Sequence, residues 1–88
     1  MNYDLIISKS VQKQIDKLPN EIVLRIVEKL KVLSTEPRLQ GVIKLKGYDN
    51  QYRLRVENYR IRYEIDDSNH QIKILQCKHR REVYRDDR

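Results

Sequence analysis

The apolar residues of this chain recur with a helical period in its first half and a strand period in its second half. At the start, Tyr3, Leu5 and Ile7 alternate with polar residues, which predicts a strand over residues 2–8. Ile6 interrupts the alternation, so we expect this strand to be partly covered on both of its faces.

A first helix is predicted directly after this strand. Ser8 stands where an N-cap belongs, because its hydroxyl can accept a hydrogen bond from an amide of the first turn. Val11, Ile15 and Leu18 then recur at spacings of four and three, which predicts about three helical turns with one apolar stripe. Leu18-Pro19 ends this segment, because a residue that precedes proline avoids helical geometry.

A second helix is predicted from Pro19, which suits a first helical turn, to about residues 34–36, ahead of Pro37. Two helices joined by a proline turn form a helical hairpin. The apolar stripe of the second helix consists of Ile22, Val23, Ile26, Val27, Leu30 and Leu33.

After Gly41 the apolar period becomes that of strands. Short and long alternating runs predict strands at 42–46, on either side of Asn58, and after the turn at 66–69, the last of them ending near Cys77. The order is strand, helix, helix and four strands. We therefore predict one α+β domain over residues 1–88, in which the helical hairpin packs on one face of a small, twisted antiparallel sheet.

Charge narrows the choice of partner. The 88 residues contain 19 Lys and Arg against 13 Asp and Glu, a net charge of +6, which favours a polyanion such as nucleic acid. The single cysteine, Cys77, excludes an internal disulfide and a multi-cysteine zinc site. No apolar run is long enough to span a membrane and the first residues lack the features of a signal peptide, so we expect a cytoplasmic protein without a membrane partner.

Burial fixes the register of the two strands around Asn58 and thereby places four arginines together. The residues that must face the core are Leu54, Val56, Ile61, Tyr63 and Ile65. The residues that must then share the opposite face are Arg53, Arg55, Arg60 and Arg62.

With Lys44 and Lys46, residues 44–62 hold six cations and two acids, a net charge of +4. Guanidinium groups match phosphate geometry, and crowding them suggests an anionic ligand. The alternative is a solvated face whose arginines pair with Glu57 and Glu64.

A second cluster, residues 78–84, follows the last strand. It combines His79, a residue type that titrates near neutral pH, with Arg80, Arg81 and the phenol of Tyr84. Cleavage of RNA by its own 2′-hydroxyl needs such groups: a base, an acid and cations for the charge that develops on phosphorus. This chemistry requires no metal or other cofactor. The alternative is a basic tail that only grips phosphate.

The remaining candidates favour structural roles. Asp66-Asp67 falls in a turn and Asp86-Asp87 near the end of the chain, so neither pair predicts a metal site. Cys77 is interpreted as a small side chain at the end of a strand.

Four segments resemble the RelE/ParE superfamily of bacterial and archaeal toxins, and the resemblance extends over essentially the whole chain. They are Lys44-Leu45-Lys46-Gly47, Tyr52-Arg53-Leu54-Arg55-Val56, Asn58-Tyr59-Arg60-Ile61-Arg62-Tyr63 and His79-Arg80-Arg81-Glu82-Val83-Tyr84. The last segment is more similar to the RelE side of the superfamily.

This resemblance implies a type II toxin that cleaves messenger RNA, in RelE-like members within the ribosomal A site. The implied partners are a cognate antitoxin, messenger RNA and the ribosome with its 16S rRNA. The implied catalytic residues are Arg60, His79, Arg80 and Tyr84. The implied RNA-binding residues are Lys44, Lys46, Arg53, Arg55, Arg62 and Arg81, with either Arg80 or Arg81 at the position of the family's C-terminal arginine.

One departure from the family pattern changes the expected roles. The best-known RelE toxins carry lysines where this chain has Arg53 and Arg55, and arginine does not give up its proton as lysine can. These two residues are therefore expected to bind phosphate, which leaves His79 as the expected base and Tyr84 as an acid or a stacking group. Two rival interpretations stay open: a ParE-like inhibitor of DNA gyrase, and a non-catalytic RNA-binding module.

Overall fold

Within residues 2–82, the two helices of the predicted hairpin pack against one five-stranded sheet. The structure is a computed structural model, and it describes residues 2–82. The elements are β1 (Asp4–Ile7), α1 (Lys9–Asp16), α2 (Asn20–Thr35), β2 (Ile43–Lys44), β3 (Gln51–Val56), β4 (Tyr59–Asp66) and β5 (Gln71–His79), and residues 80–82 are helical. No helix within residues 2–82 is long and apolar enough to cross a membrane.

The sheet has the strand order β1-β5-β4-β3-β2, which confirms the predicted α+β architecture. The pairing of the first strand is parallel, which was not predicted. β1 pairs with β5 in parallel, whereas all the other neighbours are antiparallel. Alternation reveals which side chains share a face but not the direction of a strand. Ile6 lies opposite Lys73 on the face away from the helices and is 43% exposed, so the cover on that face of β1 is only partial.

The helical hairpin forms where it was predicted. The Ser8 hydroxyl caps α1 by accepting a hydrogen bond from the Val11 amide at 3.3 Å. Val11 and Ile15 are buried, and the helix ends at Asp16 after about two turns rather than three.

In α2, Ile26, Leu30 and Leu33 are buried under the sheet. The prediction that Val27 widens the stripe is wrong, because its position on the helix turns it away from the sheet and leaves it 39% exposed.

β3 and β4 form the predicted hairpin, joined by the two residues Glu57 and Asn58. All five residues expected to face the core are at most 4% exposed: Leu54, Val56, Ile61, Tyr63 and Ile65. Burying these side chains is favourable by about 1.5–3 kcal/mol each, which is why the register cannot slip by one residue.

β5 continues to His79, two residues beyond its predicted end at Cys77. A register shift between Arg62 and Tyr63 leaves one extra residue in β5, so that the buried residues Ile74 and Cys77 are three positions apart instead of two. This irregularity hid the second half of the strand. Beyond Ile74, β1 no longer pairs with β5, and Gln14 of α1 accepts a hydrogen bond from the Cys77 amide at 3.1 Å.

A polar cluster at the other end of the sheet ties the segment after α2 to the β4–β5 turn. The Arg38 Nη2 lies 2.9 Å from Asp67 Oδ2, and the Arg38 Nε donates to the Tyr52 hydroxyl at 3.1 Å. The Tyr3 hydroxyl donates to Asp67 Oδ1 at 2.7 Å. We call Tyr3, Arg38, Tyr52 and Asp67 the Arg38 clamp.

Candidate nucleic-acid interface

The β3–β4 hairpin brings four arginines together on the sheet face opposite the helices. Arg53 lies directly across from Arg62, and Arg55 directly across from Arg60. On the next strand, Lys78 of β5 lies across from Arg60. We call these five residues the arginine face. Because directly opposed side chains in a sheet are only about 5 Å apart, five positive charges share one small patch.

The acidic residue closest in sequence to this patch is turned away from it. Glu57 begins the β3–β4 turn with a positive φ of 54°, a conformation that non-glycine residues adopt at some cost. Its carboxylate forms an ion pair with Arg25 of α2. The Arg25–Glu57 pair therefore fastens the tip of the hairpin to α2 and directs one of the two predicted neutralising acids away from the arginines.

The second acid, Glu64, lies farther along the same face. It is opposite Gln51 on one side and Lys73 on the other. Its directly opposed cationic neighbour is thus Lys73.

Local hydrogen bonds orient two of the guanidinium groups. The Arg60 Nη1 donates to the backbone carbonyls of Tyr59 at 3.2 Å and Glu57 at 3.4 Å. The Arg62 Nε donates to Gln51 Oε1 at 2.7 Å, and its guanidinium lies 4.5 Å from the centre of the Tyr48 ring. These contacts hold the groups in place before any ligand arrives.

A shallow cavity of about 290 Å³ opens on this face. Three of its lining residues are arginines, and the others are Gly41 and Ile43 at the sheet edge. Cationic side chains with forked donors around a small hollow provide what a phosphodiester group needs: charge, directed N–H donors and room for oxygen atoms. The lining arginines are Arg53, Arg55 and Arg60.

Register separates Lys44 from this face. Lys44 pairs with Tyr52, whose side chain faces the core, whereas Ile43 pairs with Arg53 and stands beside the arginines. The expected place of Lys44 among the RNA-binding residues is therefore not supported, because a two-residue strand gives no alternation from which to orient it. Lys46 follows β2 and is exposed.

His79 also lies on the other side of the sheet from the arginines. It pairs with Tyr59, and the two rings meet edge to face with their centres 5.3 Å apart. A cavity of about 300 Å³ beside α1 is lined by this ring and by Gln14 and Lys17. The His79 Nδ1 accepts a hydrogen bond from the Arg81 amide at 3.3 Å, so the lone pair of that nitrogen is already engaged.

The other predicted tail residues are located only in part. Arg80 and Arg81 are exposed just beyond β5, and the Arg80 amide donates to the Asn58 carbonyl at 2.7 Å, which holds the start of the tail against the hairpin tip. Tyr84 lies outside the described residues.

Two residues of the site were not singled out from the sequence. Lys78 joins the arginine face because β5 continues past Cys77, and the alternation of Cys77 with Lys78 was the available signal. Arg62 contacts Tyr48 across a loop, and the periodicity of the sequence does not predict such a contact. Cys77 keeps its structural interpretation, since burial raises its pKa to about 11 and disfavours the thiolate.

Comparison with known proteins assigns the chain to a class. The family model of the ParE toxin of the type II toxin–antitoxin system parDE matches residues 5–84. No curated protein matches the sequence significantly.

Similar solved structures are also toxins of this class, but they are RelE proteins rather than ParE proteins. The archaeal RelE–RelB complex of Pyrococcus horikoshii OT3 contains a chain that is 35% identical, with 91% of this chain and 97% of that chain covered and a TM-score of 0.83. The toxin–antitoxin complex RelBE2 of Mycobacterium tuberculosis is 28% identical, with 90% and 99% covered and a TM-score of 0.76. A doubly substituted E. coli RelE toxin in the free state is 26% identical, with 97% and 93% covered and a TM-score of 0.78.

Both kinds of comparison define a toxin of a type II toxin–antitoxin system. The chain belongs to the RelE/ParE superfamily, and its fold is the RelE fold.

Proposed function

We propose that this toxin is an endoribonuclease that cleaves messenger RNA on the translating ribosome in the cytoplasm, as the resemblance to RelE implies. The observation that supports this most is the pairing of Arg53 with Arg62 and of Arg55 with Arg60 on the sheet face opposite the helices. Opposed like charges destabilise a sheet, so the face is best accounted for by an anionic ligand. RNA provides that ligand as a chain of phosphates.

In the proposed reaction the 2′-hydroxyl attacks the adjacent phosphorus atom and the 5′-oxygen leaves. The 2′-oxygen loses its proton to a base, and the departing 5′-oxygen gains one from an acid, leaving a cyclic phosphate and a 5′-hydroxyl. Negative charge grows on the phosphoryl oxygens during this step. Arg53, Arg55 and Arg60 are positioned around one cavity to stabilise that charge, and Arg80 or Arg81 completes the set from the tail.

Proton transfer is proposed for His79 as the base, with Tyr84 as the acid or a stacking group. The geometry adds a requirement for His79, since its ring lies beside Tyr59 on the helix side of the sheet. To act as a base on RNA bound at the arginine face, the ring must lose the hydrogen bond from the Arg81 amide, leave Tyr59 and pass the end of β5. A His79→Gln variant should then bind ribosomes normally, cleave slowly and lack a step in the pH–rate profile of the wild type. A profile that His79→Gln leaves unchanged would remove His79 from the mechanism.

An antitoxin is the second proposed partner. The P. horikoshii and M. tuberculosis relatives were solved as complexes with their antitoxins. The charge of the arginine face suggests that the antitoxin of this chain covers it with an acidic or amphipathic segment. Arg53→Glu and Arg60→Glu should therefore weaken antitoxin binding. Affinities equal to the wild type would place the antitoxin on another surface.

A ParE-like inhibitor of DNA gyrase is the second candidate function, and the match of the ParE family model favours it. Primer extension on a translated message after induction separates the two. We expect discrete cuts within codons, and their loss in Arg60→Ala but not in Lys31→Ala, which removes an exposed cation of α2. Intact messages accompanied by arrested DNA replication would overturn the nuclease proposal and favour gyrase.

A further inference from the structure

Tyr48 is an exposed aromatic residue at the border of the arginine face. It lies in the loop between β2 and β3, and 48% of it is exposed. The Arg62 guanidinium covers one side of the ring at 4.5 Å from its centre. Gln51 fixes that guanidinium from the side through its 2.7 Å hydrogen bond to Nε. Two flat groups are thus held together at the surface, and the ring contributes nothing to the buried core.

Flat aromatic rings and guanidinium planes are the surfaces on which proteins stack unpaired bases. The pair also lies within reach of a base whose nucleotide is bound at the arginine face. Arg62 lies directly opposite Arg53, and Arg60 is two residues earlier in β4, a separation of about 7 Å. A base attached to a nucleotide whose phosphate is held by Arg53, Arg55 and Arg60 can reach across that distance.

We propose that Tyr48 and Arg62 form a stacking platform for one unpaired base next to the bound phosphate. This inference rests on the proposed function and deepens it, because it adds a contact to a base where the arginine face contacts only the backbone. Every base has a flat face, so the platform accepts any of them, but purines offer the larger area. The platform therefore favours a purine at one position relative to the cut.

The platform is tested by combining protein variants with RNA that lacks a single base. A single-stranded RNA with 2′-O-methyl groups cannot be cleaved by its 2′-hydroxyls, so its Kd can be measured. One abasic position at a time is then introduced. For the wild type we expect one position to weaken binding by roughly 5- to 150-fold, which corresponds to the about 1–3 kcal/mol of one base–aromatic stack.

Tyr48→Leu should weaken binding of the intact RNA by a similar factor and should no longer respond to that abasic position. Tyr48→Phe keeps the ring and should behave as the wild type does. Tyr3→Leu is the matched control, since it removes a tyrosine of the Arg38 clamp at the other end of the sheet. The thermal midpoint of each variant verifies that it is folded.

The outcomes distinguish failure of the stacking platform from failure of the proposed nuclease function. If the wild type binds RNA, Arg60→Ala weakens that binding, and Tyr48→Leu stays sensitive to the same abasic position, the platform is refuted and the nuclease proposal stands. If the wild type does not bind this RNA through Arg60, the platform is overturned, and primer extension on a translated message decides the nuclease proposal separately. If Tyr48→Phe loses the abasic response together with Tyr48→Leu, the hydroxyl and not the stacked ring is the contact, which also refutes the platform.

Discussion

Arginine occupies two contrasting settings in this small domain. In the Arg38 clamp, one guanidinium bonds a carboxylate and a phenol, and its charge is balanced within the protein. On the arginine face, guanidinium groups oppose each other in pairs across two strands. The Arg38 clamp joins separate segments of the chain, whereas the arginine face concentrates positively charged side chains on one side of the sheet. The same side chain therefore serves folding or binding, depending on which residue the backbone places next to it.

The largest expected effect is on catalysis and comes from the arginine face. Arg60→Ala removes a cation that lines the cavity, and loss of one such donor slows an enzyme by roughly 10²–10³-fold. Single-turnover cleavage on programmed ribosomes measures this rate, with Lys31→Ala as the control for overall charge. A rate within a factor of two of the wild type would remove Arg60 from the active site.

A substitution in the Arg38 clamp should lower stability and leave catalysis unchanged. Arg38→Ala leaves the hydroxyl of the largely buried Tyr52 without its donor and breaks the link to Asp67. We expect the free energy of unfolding to fall by about 1–3 kcal/mol, measured by urea denaturation. The cleavage rate per folded molecule should not change. A slower rate in fully folded protein would mean that the clamp also positions the site.

The clamp also predicts a dependence of stability on pH. The hydrogen bonds from Arg38 and Tyr3 lower the pKa of Asp67 below its usual value. A carboxylate with a lowered pKa in the folded state stabilises the protein above its unfolded pKa of about 4, and that stability is lost as the pH falls through the folded value. Urea midpoints should therefore drop below about pH 4, and Asp67→Asn should reduce that drop. An identical pH profile in Asp67→Asn would exclude Asp67 as its source.

The smallest effect has the opposite sign. Arg55→Gln removes one member of an opposed arginine pair from an exposed position. Relief of like-charge repulsion should raise the free energy of unfolding by about 0.2–1 kcal/mol at low salt, and the gain should shrink as salt screens the charges. Thermal midpoints at several salt concentrations measure it. Destabilisation at every salt concentration would indicate that the arginine face contributes to folding as the clamp does.

The contrast between the two settings was only half predictable from sequence. Strict alternation around Asn58, with five apolar residues to bury, determined which arginines share a face, because a slip by one residue would expose all five. The clamp was not predictable, since Arg38 and Asp67 meet across 29 residues through two loops.

Other details escaped the sequence for similar reasons. The bulge in β5 disguised the strand that carries Lys78, and a two-residue β2 gave no pattern from which to orient Lys44. The sequence assigns His79 to the cluster at residues 78–84 and does not reveal the direction of its ring. Because β5 runs on to His79, the pleat turns this ring to the side of Tyr59 instead.

The salt dependence of RNA affinity tests directly whether the arginine face contacts RNA phosphates. For single strands, the logarithm of the binding constant falls with the logarithm of salt by about 0.7 for each phosphate contact. We expect Arg60→Ala to reduce this slope by about 0.7 relative to the wild type and Arg38→Ala to leave it unchanged. An unchanged slope in Arg60→Ala, or an equal reduction in both variants, would contradict this expectation.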